Sequence, residues 1–265
     1  MRASSLAFDP LLDSAASDYA AVAVRAAAPA QVFVDDPARP LLADDDARHL
    51  DRVLRLRPGE EVIVADGAGR WARTSWQGDG AVEPLRDGSG AGGDGSVLSE
   101  PRIEPALTVA FAPVKGERPE WVVQKLTELG IDRIVPLRSE RSVVRWTGSR
   151  GKATVARLRR VARESAAQSR RVWLPEICDT VPFAELPILG APGEVVLAQL
   201  SGDRPTLARR VVAVGPEGGW SSEELLSGLP TVGFGLSVLR AETAAVTAGA
   251  LLASLRTGTV AAVQA

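Results

Sequence analysis

The chain has 265 residues, 45% of them apolar, which is enough for one large packed domain or two modest ones. A single cysteine, Cys178, excludes an internal disulfide framework, and with His49 as the only histidine there are too few soft ligands for a His/Cys zinc site. The formal net charge of −2 excludes a uniformly basic nucleic-acid binder, so any phosphate-binding surface has to be local.

Residues 1–30 are rich in Ala and Ser and carry Asp9, Asp13 and Asp18. They lack the apolar run of a signal peptide and read as a weakly structured or helical extension. No later apolar stretch is long enough to span a bilayer, so the expectation is a cytoplasmic chain with no membrane partner. The first strand signal is Gln31-Val-Phe-Val34. Asp44 to Leu56 follows, with acids at its start and Leu50, Val53, Leu54 and Leu56 at helical spacing, and it predicts a short amphipathic helix. After the Arg57-Pro-Gly turn, Glu61 to Trp76 reads as two strands around Asp66-Gly67, a hairpin signal.

Asp87 to Ser96 is dominated by glycine and serine, which suits a long hairpin tip or a linker. Beyond Pro105 the pattern changes to alternation: strand 107–112, helix 117–129 closed by Gly130, strand 131–137, helix 151–169, strands 194–200 and 211–214. A helix after Trp220, a short strand near Val232 and a final helix 242–255 complete it. Such alternation predicts a parallel α/β sheet. The expected organisation is an extension (1–30), a small β-rich domain (31–104) and an α/β domain (105–265).

Three segments carry chemistry. Val211-Val-Ala-Val-Gly-Pro-Glu-Gly-Gly-Trp-Ser-Ser-Glu-Glu-Leu225 is an apolar strand, a glycine-proline loop and a helix start with capping-box spacing between Ser221 and Glu224. Glycines at the C-terminal end of a parallel strand let backbone approach a ligand, and cofactors of α/β proteins bind at that edge. The loop has neither P-loop nor GxGxxG spacing, and on its residues alone it is equally well a structural turn. Phe234 to Ala253 runs from an irregular stretch into a helix of small residues, which reads as tight packing with Arg240 and Glu242 as a surface pair. Between Arg138 and Arg171 eleven bases stand against two acids, a stretch suited to a polyanion or to a solvated helix face.

Gly215-Pro-Glu-Gly-Gly219 followed by Val238-Leu-Arg-Ala-Glu-Thr-Ala244 resembles the cofactor-binding signature of the 16S ribosomal RNA uracil-N3 methyltransferases, of the SPOUT superfamily. Lys115 to Gly130, Pro136-Leu-Arg-Ser-Glu-Arg-Ser142, and Glu164 to Arg171 before Leu174-Pro-Glu-Ile177 resemble that family's other blocks in order. Arg48 to Gly59 and Asp66-Gly67 resemble its PUA-like RNA-binding domain. The resemblance runs from about Gln31 to Leu255, and Gly235-Leu236-Ser237 departs from the family's Gly-Pro-Arg.

The resemblance implies a C-terminal SPOUT domain with a deep trefoil knot, a homodimer, and S-adenosylmethionine bound in the knot. The cofactor residues it implies are Leu200, Gly215, Glu217, Gly218, Gly219, Leu236, Ser237, Val238, Leu239 and Arg240. The implied reaction is methylation of N3 of a uridine in 16S rRNA, free or within the 30S subunit. Arg240 would then stabilise the uridine anion, and Glu242 would orient Arg240 or accept the N3 proton. Phosphate contacts are expected from Arg141, Arg145, Arg170 and Arg171, with Gln168 a polar partner and His49, Arg52 and Arg55 extending the footprint. Trp121, Trp146 and Trp220 are candidates for base stacking or, more simply, core and interface residues. Competing readings are a ribose 2′-O-methyltransferase, a noncatalytic RNA-binding assembly factor, and a generic nucleotide-binding enzyme.

Overall fold

A computed structural model describes residues 20–261. Contacts divide the chain into two compact units, one reaching to Pro101 and including Ala167–Val172, the other formed by Arg102–Ala166 and the chain from Trp173 onward. Ala167–Val172 is a segment that a linear division at residue 104 assigns elsewhere.

In the first unit, helix α1 (described over residues 20–27) leads into β1 (Ala30–Phe33), then α2 (Asp44–Arg48), β2 (Glu61–Ala65), β3 (Arg70–Gly78), β4 (Ala81–Pro84) and β5 (Val97–Ser99). The sheet order is β1-β2-β3-β4, with β5 also on β3. β1 is parallel to β2 and the other pairs are antiparallel. The expected hairpin is β2–β3, paired to Ala65–Trp71, with the Asp66 carboxylate accepting from the backbone N–H groups of Ala68 and Arg70 in the turn. Its core is aliphatic and aromatic: Val32, Leu50, Val62, Val64, Ala72 and Trp76.

Two expectations change here. The helix from Asp44 gives way to a π-turn over His49–Val53, which rotates the apolar stripe: Leu50 is buried while Val53 is 66% exposed. The glycine-rich segment joins β4 to β5 within the unit. It is held there by Arg73, a largely buried side chain of β3 whose guanidinium donates to Glu61, to Asp87 and to Ser89. Hydrogen bonds from the Ser89 N–H and hydroxyl, and after them the Arg73 charge, keep the Asp87 carboxyl below its ordinary value.

In the second unit β6 (Thr108–Phe111), β7 (Arg133–Arg138), β8 (Glu176–Ile177), β9 (Val181–Pro182), β10 (Val195–Asp203), β11 (Val211–Val214) and β12 (Thr231–Val232) form a sheet of order β12-β10-β11-β6-β7-β8, with β9 also on β7. Every pair is parallel. The helices are α3 (Arg118–Glu128), α4 (Gly148–Gln168), α5 (Ser222–Leu225) and α6 (Ala241–Arg256). Parallel strands are covered on both faces, which is why their sequences are continuous apolar runs. Val109, Phe111, Val212 and Val214 face one core together with α3, α4 and α6; Ala110, Val211 and Ala213 face another with Leu186 and Trp220. Gly249 of α6 is where that helix meets α3, because a Cβ there would lie 2.5 Å from Leu126 Cδ2. Cys178 is half-buried near Glu176, and burial first, then that carboxylate, pushes its thiol up to about 11. The thiol form therefore prevails over the thiolate at neutral pH.

The end of β10 folds closely around β12. Val232 pairs with both Ala198 and Asp203, and Gly233 N donates to Asp203 O at 2.8 Å. A Cβ on Gly202 would stand 2.4 Å from Val232 C, and one on Gly233 would stand 2.9 Å from Gly202 O. Both positions need glycine because two backbones touch there.

Candidate functional site

The loops at the C-terminal ends of β10 and β11, with the segment entering α6, enclose a cavity of about 680 Å3. The turn after β11 is set by Gly219, whose φ of +69° suits glycine and whose N–H bonds Pro216 O at 2.8 Å. Gly215 packs flat against Trp220, since a Cβ would come within 3.0 Å of the indole. Trp220 is buried, donates to Ala198 O at 3.0 Å and leans on Phe183 with ring centroids 5.6 Å apart. It thus braces the β11 loop against β10.

Of the cofactor residues expected from the sequence, Leu200, Gly215, Glu217, Gly219, Ser237, Val238, Leu239 and Arg240 line this cavity. Gly218 and Leu236 do not: Gly218 O accepts from Arg141 at 3.1 Å, and Leu236 is fully exposed. Arg240 is the exposed N-cap residue of α6, and among the described residues it makes no ion pair. The sequence suggests Glu242 as a partner of Arg240; instead it pairs with Arg118 at 3.5 Å and does not line the cavity. Arg118 also meets Glu217 at 3.1 Å. Sequence reasoning misses Arg118, because its partners lie 99 and 124 positions away and only the Lys115 to Gly130 block hints at it.

A family model described as an RNA methyltransferase domain matches residues 102–253, and one described as an RNA methyltransferase PUA domain matches residues 42–74. The ribosomal RNA small subunit methyltransferase E of Mycobacterium bovis is 32% identical over 224 residues, 77% of this chain and 82% of that protein. The chain belongs to the ribosomal RNA small subunit methyltransferase E family. The Synechocystis member is 29% identical, covering 93% of this chain and 82% of that protein. The Neisseria gonorrhoeae member, solved bound to S-adenosyl methionine, is 25% identical with a TM-score of 0.65, covering 86% of this chain and 97% of that one.

In this member of the family a buried carboxylate fixes the neighbouring basic loop. Glu224 closes the capping box of α5 and accepts from Ser221 N at 2.8 Å, from Glu140 N at 2.9 Å and from Ser139 Oγ at 3.1 Å. The loop it holds carries Arg141 and leads to Arg145, both exposed. Glu224→Ala leaves these donors without an acceptor. Unfolding in urea is expected to show a loss of about 2–4 kcal/mol. Unchanged stability would mean that water replaces the carboxylate at no cost.

The other phosphate candidates fall in the first unit or at its border. His49, Arg52, Arg55 and Gln168 are not buried, and Arg171 is half-buried with its carbonyl bonded to Gln31 Nε2. Arg170 is half-buried and used by the fold: its guanidinium donates to the carbonyls of Ala28, Pro29 and Ala167, and burial lowers its pKa. On α4, Arg157 and Arg159 are engaged by Glu120 and Asp179, while Arg150, Lys152 and Arg160 remain exposed. Trp121 is 43% exposed and Trp146 packs on the core edge. No helix among the described residues is long and apolar enough to cross a membrane.

Proposed function

We propose that this protein transfers the methyl group of S-adenosylmethionine to N3 of a uridine in 16S rRNA of the small ribosomal subunit, acting in the cytoplasm as a homodimer. The observation that carries the reading is the cavity at the C-terminal edge of the parallel sheet, in a chain of this family. Its volume and its mixture of apolar walls with a few polar groups suit a nucleoside cofactor. Val214, Phe234, Leu239 and Ala244 offer apolar surface to an adenine, and Gln199, Ser237 and the glycine turn offer polar and backbone groups. The turn leaves the space above Gly219 and Gly235 open, where a side chain would otherwise intrude.

Bound there, the cofactor supplies an electrophilic methyl group on a sulfonium. The protein's part is to place uridine N3 in line with it, so that the N–C bond forms as the S–C bond breaks and S-adenosylhomocysteine leaves, and to stabilise the negative charge on N3 as its proton passes to solvent. Arg240, uncompensated at the cavity wall, is the cation for that charge. Glu242 reaches the site through Arg118. Arg141 and Arg145 in one unit, and Arg171, Gln168, His49, Arg52 and Arg55 in the other, neutralise and position the RNA backbone. Two further features of the reading have support of their own. The double pairing of Val232 inside the bend of β10 supports a C-terminal chain threaded as a knot, and the exposed Val238 and Leu236 support coverage by a second copy.

The test is methyl transfer from labelled S-adenosylmethionine to 30S subunits lacking the modification, with nucleoside analysis of the digested 16S rRNA. The expected product is 3-methyluridine. A ribose-methylated nucleoside would keep the cofactor and overturn the base; absence of cofactor binding would overturn the reading altogether.

A further inference from the structure

Arg118 stands at the start of α3 and lines the cavity, yet its two partners belong to two other walls. Glu217 lies in the turn after β11, and Glu242 lies in the first turn of α6, two residues beyond Arg240. Nη1 serves both carboxylates, at 3.1 Å and 3.5 Å. An exposed ion pair such as Arg118–Glu217 contributes little to stability by itself, with about half of each side chain in water. Glu242 is different. Its side chain is only 12% exposed, and its second oxygen, Oε2, is buried without a hydrogen-bond partner among the described residues. A carboxylate so poorly hydrated depends on the one cation beside it.

We infer that Arg118 is a positioning residue for the cofactor: one guanidinium ties the glycine turn and the start of α6 together, and so holds the two walls of the cavity in register. This rests on the reading of the cavity as the S-adenosylmethionine site. Without the cation, two carboxylates face each other across the gap, one of them largely desolvated. They separate, and Glu217 carries Pro216 and Gly219 with it while Glu242 shifts Arg240. Arg118 therefore acts through the walls it joins. The geometry further implies that Glu242 is the more demanding partner, so neutralising it relieves the variant that lacks the cation.

The experiment is calorimetric titration of the full chain with S-adenosylmethionine, alongside thermal unfolding. Arg118→Met is expected to weaken binding about tenfold or more, Arg118→Lys to stay within about threefold of the wild type, and Arg118→Met/Glu242→Gln to recover part of the loss. In steady-state assays the KM for the cofactor should rise more than kcat falls. Wild-type protein that does not bind S-adenosylmethionine would end the reading of the cavity itself. Wild type that binds while Arg118→Met binds equally well, or a double variant no better than the single one, would overturn the positioning role. If Arg118→Met does not fold, Glu217→Gln and Glu242→Gln decide: wild-type affinity in both overturns the role, and weakened affinity in either at unchanged melting temperature supports it.

Discussion

Gly202→Ala is expected to cost about 3 kcal/mol or more of folding stability, or to leave the chain unable to fold. The added methyl would lie within 2.6 Å of three backbone atoms of Val232, and backbone in a hydrogen-bonded strand has no rotamer with which to yield. Relief requires moving β12 away from β10, which breaks the bond from Gly233 N to Asp203 O and disturbs the wall of the cavity formed by Gln199 and Leu200. The comparison is Gly218→Ala, where the new Cβ finds Arg141 at an ordinary 3.7 Å and no left-handed φ stands in the way. That variant is expected within about 0.5 kcal/mol of the wild type. Urea unfolding of the two proteins separates them. Equal midpoints would show that the β10–β12 crossing is looser than its geometry implies.

Arg240→Ala is expected to lower kcat for methyl transfer about a hundredfold, with the melting temperature unchanged. Arg240 is exposed, caps no backbone group with its side chain and forms no ion pair among the described residues, so its removal leaves nothing in the fold unsatisfied. Its charge is therefore available to a substrate, in contrast to that of Arg118, which two carboxylates share. Arg240→Lys should keep part of the rate because a point charge survives, though without the planar fork of the guanidinium. The measurement is single-turnover transfer at saturating cofactor and RNA. A wild-type rate in Arg240→Ala would remove the residue from charge stabilisation.

The α/β half of the molecule is legible in the sequence because buried parallel strands must be apolar on both faces, and Leu107 to Ala112 and Val211 to Val214 say so directly. The glycine turn and the capping box of Ser221 and Glu224 are legible for the same reason: local geometry leaves local residues. What escapes depends on distant partners. Arg118 meets acids from two later segments. Arg170, one of a run of bases, is satisfied by carbonyls 141 and 142 positions earlier in sequence. The stripe of Leu50, Val53 and Leu54 suggests one regular helix, but the inserted π-turn shifts the phase by part of a turn, and no residue type announces that.

The strand order has a consequence for synthesis. β6 gains β7 on one side within a few tens of residues, but its other side waits for β11, about 100 positions later in the chain. At about 5–20 residues per second, an apolar strand edge stays unpaired on the ribosome for roughly 5–20 s. A nascent chain stalled between α4 and β11 therefore presents a template for intermolecular strand pairing, and chaperone dependence of this protein should concentrate in that window of elongation.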